Sequence, residues 1–283
     1  MPRYRLLLEY DGAGFAGWQY QPGNRTVQGE IEKAIAVFAK ETVRVTGAGR
    51  TDAGVHALGQ VASFDLARPL GLPSAFGSFN GILPRDLRVL SIAEAPGFDA
   101  RRSATGKTYR YRVLNRPAPP AVQRGFVLHH PWRLDAVAMA RAAAAFEGTH
   151  DFSAFRASDC ESGHAVRRVH SCRVTRDGDM VVMEVTATAF VKNMVRVMAG
   201  TLIEIGNGRR PESAAAAALA SKDRGDAGAT APAHGLFLVQ VCYGKKGGAP
   251  APGIAWPSNT HGLTGLAGAA DGGAGPGSPG GVS

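Results

Sequence analysis

The sequence predicts an α+β fold made of two halves whose sheets could join and leave a groove between them. Patterns typical of strands and helices recur in a similar mix in both halves of the chain. A strong turn signal, Asp177-Gly178, lies between two strand-like segments and predicts a hairpin in the second half. The length of 283 residues is sufficient for one large or two modest domains.

The first half, residues 1–115, begins with a predicted strand that is followed by a helix. The helix is expected over Thr26–Ala39, because Val27, Ile31 and Ile35 recur on one face of it. The other elements predicted in this half are strands at Tyr4–Tyr10, Val43–Gly47, Gln60–Leu66, Asp86–Glu94 and Lys107–Asn115, and a short helix at Pro73–Ile82.

Residues 116–133 are predicted to form a connection, which the prolines of RPAPPAV stiffen near its start. The second half, residues 134–244, is expected to close with a strand at Gly235–Tyr243. Its other predicted elements are a helix at Leu134–Phe146, the hairpin strands Arg168–Thr175 and Val181–Thr188, and helices at Lys192–Ile205 and Pro211–Ala220. Residues 245–283 are rich in glycine, alanine and proline, a composition that cannot bury a core, so they are expected to be disordered.

The composition favours a polyanionic partner. The chain carries a net charge of +9 and has a pI near 9.8, which suits nucleic acid or an anionic membrane surface. No apolar run approaches the roughly 18 residues of a membrane span, and no secretory signal opens the chain. The three cysteines, Cys160, Cys172 and Cys242, form no CxxC pair and are expected to be reduced thiols of a cytoplasmic protein.

Two other kinds of site are disfavoured by spacing. The segment DGAGFAG, residues 11–17, contains a literal GxGxxG after a strand, but Pro22-Gly23 prevents the helix that a dinucleotide site needs at that point. The histidines show no HExxH or comparable spacing for a metal, and no serine lies in a GxSxG elbow. We therefore expect neither a cofactor nor a metal.

The segment TGAGRTDAGVHALGQVASF, residues 46–64, frames one acid, Asp52, with Gly47, Gly49 and Gly54. An ordinary turn aspartate is the simplest alternative for such a residue. Elsewhere, arginine pairs such as Arg101-Arg102 and Arg167-Arg168 recur, and aromatic side chains stand near other basic residues. Basic clusters beside aromatic rings suit phosphate contacts next to a stacked base.

Several segments, in order, resemble the tRNA pseudouridine synthase A family. These segments are EYDGAGFAGWQYQP, GAGRTDAGVHALGQVASF, FDARRSATGKTYRYRVLN, DFSAFRA, AFVKNMVRVMAGTLIEIG and SKDRGDAGATAPAHGLFLVQVCY. The likeness runs from about Tyr4 to Tyr243, and it implies two ferredoxin-like (RRM-like) halves that share a mixed β-sheet, with helices on one side and a central RNA cleft. It also implies a homodimer, without cofactor or metal, that converts uridine to pseudouridine at positions thirty-eight to forty of the tRNA anticodon stem-loop.

The resemblance assigns roles to individual residues. Asp52, in the loop of residues 47–56 (the Asp52 loop), is expected to be the catalytic nucleophile, which is already an anion at neutral pH if its pKa is ordinary. Tyr109 and Arg196 match active-site residues of the family, and Arg50 is the expected partner of the Asp52 carboxylate. Residues expected to bind substrate are Tyr109, His56, Arg101, Lys192 and Phe190, although a hydrogen-bonded loop role for His56 is equally open.

The reaction breaks the N1–C1′ bond and joins C5 to C1′. Because the product contains the same atoms as the substrate, no redox cofactor is needed. Lys192 and Arg196 are four residues apart, so the predicted helix would place both on one face. A non-catalytic tRNA-binding protein or RNA chaperone remains the alternative function, since it would share the basic cleft but would have no need of Asp52.

Overall fold

The computed structural model describes residues 1–160 and 163–244, which form one mixed β-sheet with helices packed on it. The predicted disorder of residues 245–283 lies outside the described residues. The strands are β1 Arg3–Tyr10, β2 Thr46–Gly47, β3 His56–Asp65, β4 Leu87–Glu94, β5 Ala104–Leu114, β6 Leu128–His129, β7 Gly148–Asp151, β8 Val166–Asp177, β9 Met180–Ala187 and β10 Leu236–Tyr243. The α-helices are α1 Val27–Ala39, α2 Leu72–Ile82, α3 Ala136–Ala143, α4 Met194–Gly206 and α5 Ala214–Ser221.

The last strand of the chain lies in the middle of the sheet. The strand order is β4-β1-β3-β10-β5-β9-β8-β7, with β2 beside β3 and β6 beside β5. Strand β10 is parallel to β3 and antiparallel to β5, so it joins the strands of the two predicted halves into one continuous sheet. The predicted α+β class with a shared mixed sheet is therefore confirmed.

The first part of the sheet is covered by α1 and α2. Thr26 caps α1, and its hydroxyl accepts a hydrogen bond from the Gly29 N–H at 3.2 Å. The predicted apolar face of α1 is buried, and the Phe79 ring of α2 meets Phe38 of α1 edge-on at 4.8 Å between centroids. The Phe79 ring also meets Phe64 of β3 at 6.2 Å, which ties both helices to the sheet.

The second part of the sheet is covered by α3, α4 and α5. Helix α4 is almost entirely buried, because it packs against β5 and against both of the other helices. The predicted hairpin forms from β8 and β9, and Gly178 adopts the positive φ of 53° that its tight turn requires. Strand β9 has the predicted alternation, with Val181, Met183 and Val185 buried.

Several predicted elements have other bounds in the structure, and three of them show how the surroundings change an element. The strand predicted at Val43–Gly47 shortens to Thr46–Gly47, because the Val45 N–H donates to the Glu32 carboxylate at 2.9 Å rather than to a neighbouring strand. The helix predicted from Lys192 begins at Met194, because Asn193 adopts a left-handed conformation with φ 64°. The 116–133 connection contains β6, which extends the sheet beside the end of β5.

Across the two described stretches, no helix is long and apolar enough to cross a membrane. The division of the chain at residues 115 and 134 remains a prediction. In the sheet, β5 pairs with β9 and β10, so the end of the first half is built into the second part of the sheet.

A chain that ends at residue 234 should fail to fold cooperatively, because β3 and β5 would both lose their central neighbour. A chain that ends at residue 244 is the matched control and should keep the melting temperature of the full chain. Thermal unfolding followed by circular dichroism compares the two, and a cooperative transition for the shorter chain would contradict the central structural role of β10.

Candidate active site

The Asp52 loop is held by the end of β1 and by the loop of residues 11–20, which we call the opening loop. Thr51 accepts a hydrogen bond at its carbonyl from Trp18 N–H at 3.0 Å, and its hydroxyl lies 2.8 Å from the buried Tyr10 hydroxyl. Gly17 has φ +94°, and a Cβ there would lie 2.7 Å from the Thr51 carbonyl oxygen. The last glycine of the GxGxxG segment therefore allows close packing of two loops.

The Asp52 side chain is half-buried, with 30% of its surface exposed. The Val55 N–H donates to the Asp52 carbonyl at 3.1 Å, so the loop turns immediately after the acid. Burial raises the pKa of the Asp52 carboxyl above its ordinary value, whereas the charges of Arg196 and Lys192 act to lower that pKa. The carboxylate thus has a net desolvation cost that two cations partly offset.

Arg196 supplies the guanidinium beside this carboxylate. Its Nη1 lies 3.9 Å from Asp52 Oδ2, and its Nε donates to the Ala231 carbonyl at 2.7 Å. Nη1 also donates to Asn193 Oδ1 at 3.1 Å, which fixes the side chain at the start of α4. A helix of the second half and a loop of the first half therefore meet at Asp52.

The sequence predicted that Arg50 would pair with the Asp52 carboxylate. In the structure, Arg196 is the cation recorded at that carboxylate, and Arg50 Nε donates to Gln19 Oε1 at 3.1 Å. Arg50 is exposed, and its pairing with the Asp52 carboxylate stays a prediction.

Tyr109 lies on β5 and contributes the aromatic surface of the site. Its side chain is buried, and its ring meets Phe190 edge-on at 5.0 Å between centroids, with an interplanar angle of 80°. Burial raises the pKa of the Tyr109 phenol, and the negative charge of Asp52 raises it further. The phenol is therefore neutral at neutral pH and close enough to Asp52 to feel its charge.

Lys192 and Arg196 do not share a helical face, so that prediction was wrong. Lys192 precedes the left-handed Asn193 and lies outside α4, where its ammonium pairs with Asp159 at 2.6 Å. Its charge still lowers the pKa of Asp52. Arg101 lies on the loop before β5 with its side chain exposed, and its backbone N–H donates to Asp99 Oδ1 at 2.9 Å.

His56 is buried beneath the opening loop. Its Nδ1 accepts a hydrogen bond from the Gly12 N–H at 3.0 Å, and its ring stacks on Phe237 at 4.8 Å between centroids. Burial lowers the pKa of the imidazole. Of the two roles left open by the sequence, the hydrogen-bonded loop role is supported by these contacts.

The sequence analysis missed the residues that support the Asp52 loop. Tyr10, Trp18 and Thr51 hold its backbone, and Gln60 Nε2 donates to the Gly49 carbonyl at 2.9 Å. Hydrogen bonds between loops that are distant in the chain leave no periodic pattern in a sequence. The available signal was that Tyr10 and Trp18 lie in the segment EYDGAGFAGWQYQP. The described part of the chain contains no cluster of three or more histidine, cysteine or acidic residues that could hold a metal ion.

The arrangement combines one partly desolvated carboxylate, a guanidinium fixed beside it and a pair of aromatic rings. A carboxylate in this environment can attack an electron-poor carbon or stabilise a developing positive charge. The neighbouring rings can receive a planar group. These features suit chemistry on a nucleoside without an activating base.

The chain matches a family model described as tRNA pseudouridine synthase over residues 7–80 and 142–244. It is 48% identical over 245 residues to tRNA pseudouridine synthase A of Methylobacterium nodulans, a match that covers 86% of this chain and 96% of that protein. It is also 48% identical over 259 residues to the protein of the same name from Myxococcus xanthus. That match covers 89% of this chain and 96% of the Myxococcus protein. The chain belongs to the tRNA pseudouridine synthase family.

Proposed function

We propose that this protein is a tRNA pseudouridine synthase that isomerises uridines at positions thirty-eight to forty of the anticodon stem-loop, with Asp52 as the nucleophile. The observation that carries the proposal is the half-buried Asp52 carboxylate beside Arg196, with Tyr109 close enough to be affected by its charge, in a chain of this family. The curated relatives carry the name of an enzyme that acts on tRNA, which supports the substrate class.

The chemistry follows from the geometry of these three groups. Asp52 attacks the target nucleoside, either at C1′ or at another electron-poor atom, while Arg196 orients the carboxylate. In the route through C1′, the bond from Asp52 replaces the N1–C1′ bond and the uracil turns. C5 then bonds to C1′ as the bond from Asp52 breaks, so the carboxylate is regenerated, C5 loses its proton and N1 gains one. The Tyr109 ring lies where it can stack on the uracil, and its hydroxyl is available to assist removal of that proton.

The target base must leave the RNA stack to reach a half-buried carboxylate. Extrusion of a base costs a few kcal/mol, which stacking and phosphate contacts must offset. The net charge of +9 supplies a field that attracts the RNA, and Arg50, Arg101 and Lys192 carry positive charge near the Asp52 loop. We propose in addition that the protein acts in the cytoplasm as a homodimer, as the family resemblance implies.

A tRNA-binding protein without catalysis is the second candidate. It would explain the basic charge but gives no reason to bury a carboxylate where burial raises its pKa. Release of tritium from C5-labelled uridine in tRNA separates the two candidates, because isomerisation must displace that label and binding leaves it in place.

Replacing Asp52 by asparagine should lower the rate of tritium release by many orders of magnitude, while the affinity for tRNA changes little. Because the folded-state pKa of Asp52 is raised, its ionisation above the unfolded pKa disfavours the folded state. Asp52→Asn should therefore match or exceed the wild-type melting temperature at pH 7. Activity within tenfold of the wild type would overturn the assignment of Asp52 as nucleophile.

The acidic limb of the pH–rate profile should lie above the ordinary pKa of aspartate, because the reactive form is the anion. Arg196→Gln should move this limb to still higher pH, because the Arg196 charge lowers the pKa of Asp52. Arg141→Gln, which removes an exposed arginine paired with Glu212, is the matched control and should leave the limb in place. An unchanged limb in Arg196→Gln would mean that Arg196 does not tune this carboxylate.

Tyr109→Phe tests the ring and the hydroxyl separately. The phenylalanine ring should keep the contact with Phe190 and the stacking on uracil, so tRNA affinity should stay near the wild-type value. Tritium release should fall by about 10²–10⁴-fold if the hydroxyl assists proton removal. Full activity of Tyr109→Phe combined with loss of affinity in Tyr109→Ala would restrict Tyr109 to a stacking role.

A further inference from the structure

Lys107 is a further cation at the Asp52 loop, and the site described above does not use it. It lies on β5 two residues before Tyr109, so both side chains project from the same face of the sheet. Its strand neighbours are Val241 on β10 and Ala187 on β9, which place it in the middle of the sheet. The side chain is half-buried.

The Lys107 side chain passes directly beneath the Asp52 loop. A Cβ placed on Gly49 would lie 2.8 Å from Lys107 Cε and 3.6 Å from its Nζ. A larger side chain at this position, three residues before Asp52, would have to displace the end of the lysine side chain. The Gly49 carbonyl is held by Gln60, so the lysine stem lies against a fixed backbone.

Within the part of the chain that the structure describes, the ammonium of Lys107 lacks a counter-charge. Among residues 1–160 and 163–244 it has no hydrogen-bond or ion-pair partner, whereas Arg196 and Lys192 each pair with a carboxylate. The charged and titratable groups that act on it are Arg101 and the Cys242 thiol. Burial, reinforced by the charge of Arg101, lowers the pKa of Lys107 to about 8.

A half-buried cation beside a second cation disfavours the folded protein unless a ligand compensates for it. The charges that act on the pKa of the neighbouring acid, Asp52, are those of Arg196, Lys192 and Asp159. An anion that reaches the Asp52 loop from solvent would compensate for this charge. A lysine ammonium is a compact point charge that is well suited to a phosphate oxygen.

We propose that Lys107 binds a backbone phosphate of the RNA substrate at the Asp52 loop, next to the nucleotide whose base reaches Asp52. Arg101 adds positive charge to the same point. This contact would seat the RNA strand over Gly49 and thereby position the target nucleotide. The inference rests on the proposed function, because it takes RNA as the substrate.

A purely structural role for Lys107 predicts a different behaviour. In that case the aliphatic stem supports Gly49 and the charge is incidental. Lys107→Met keeps most of the stem and removes the charge, and Lys107→Arg keeps the charge. Lys33→Met removes an exposed lysine on α1 that pairs with Glu30, so it is the control for loss of one positive charge.

The first measurement is the affinity of the full chain for an anticodon stem-loop RNA at several salt concentrations. Lys107→Met should lower the affinity roughly tenfold, as expected for one hydrogen bond to a charged group. It should also reduce the slope of log K against log salt by about 0.7–0.9, the value for one phosphate contact. Lys33→Met should keep the wild-type slope, and wild-type slope in Lys107→Met would overturn the proposal.

The second measurement is the pH dependence of the same affinity. It does not need the Lys107→Met variant, so it remains decisive if that variant fails to fold. The charged lysine is the binding form, so wild-type affinity should fall as the pH rises above about 8, where the free side chain loses its proton. Lys107→Arg should keep its affinity through this range, because arginine stays charged. The same fall in Lys107→Arg as in the wild type would assign the pH dependence to another group and reject the phosphate contact.

Tritium release by the wild type keeps the two proposals distinguishable. A wild type that binds RNA but releases no tritium would reject the proposed isomerase activity, and the Lys107 comparison would still report on phosphate binding. If the wild type releases tritium and Lys107→Met keeps the wild-type slope of log K against log salt, only the Lys107 contact is rejected.

Discussion

The pairing of β10 with β3 and β5 is the constraint on which the site depends. The parallel contact to β3 begins at His56, where the Asp52 loop ends, and the antiparallel contact to β5 includes Tyr109. The chain just before β10 supplies the Ala231 carbonyl that holds Arg196. One strand therefore brings the acid, the aromatic ring and the guanidinium together from segments more than forty residues apart in sequence.

The electrostatics of the site reflect a compromise between burial and charge. Partial burial of Asp52 raises the pKa of the carboxyl, and the charges of nearby cations oppose part of that rise. The same burial keeps the Tyr109 phenol neutral. The exclusion of water that makes the Asp52 carboxylate costly to bury also strengthens its interaction with Arg196. Burial therefore increases the effect of the guanidinium on the pKa of Asp52.

The opening loop shows how a sequence motif can take a role unrelated to its usual one. Its glycines follow a strand, as in a dinucleotide site, yet Gly17 lies against the Thr51 carbonyl and Gly12 donates to His56. The loop thereby packs on both ends of the Asp52 loop. Close backbone approach is the property common to both uses, and the absence of a helix after the glycines separates them.

Local pattern in the sequence was enough to determine the elements with strong periodicity, including α1, the β8–β9 hairpin and the closing strand. The RTDAGVH run singled out Asp52. These features depend on residues close together in the chain. Only the tertiary structure decided that β10 lies at the centre of the sheet, that Arg196 is the cation recorded beside Asp52, and that Asn193 turns Lys192 away from the helical face. The short length of β2 and, among the described residues, the lack of an acidic partner for Lys107 were likewise hidden. Both depend on contacts between distant segments, which leave no periodic signal in the sequence.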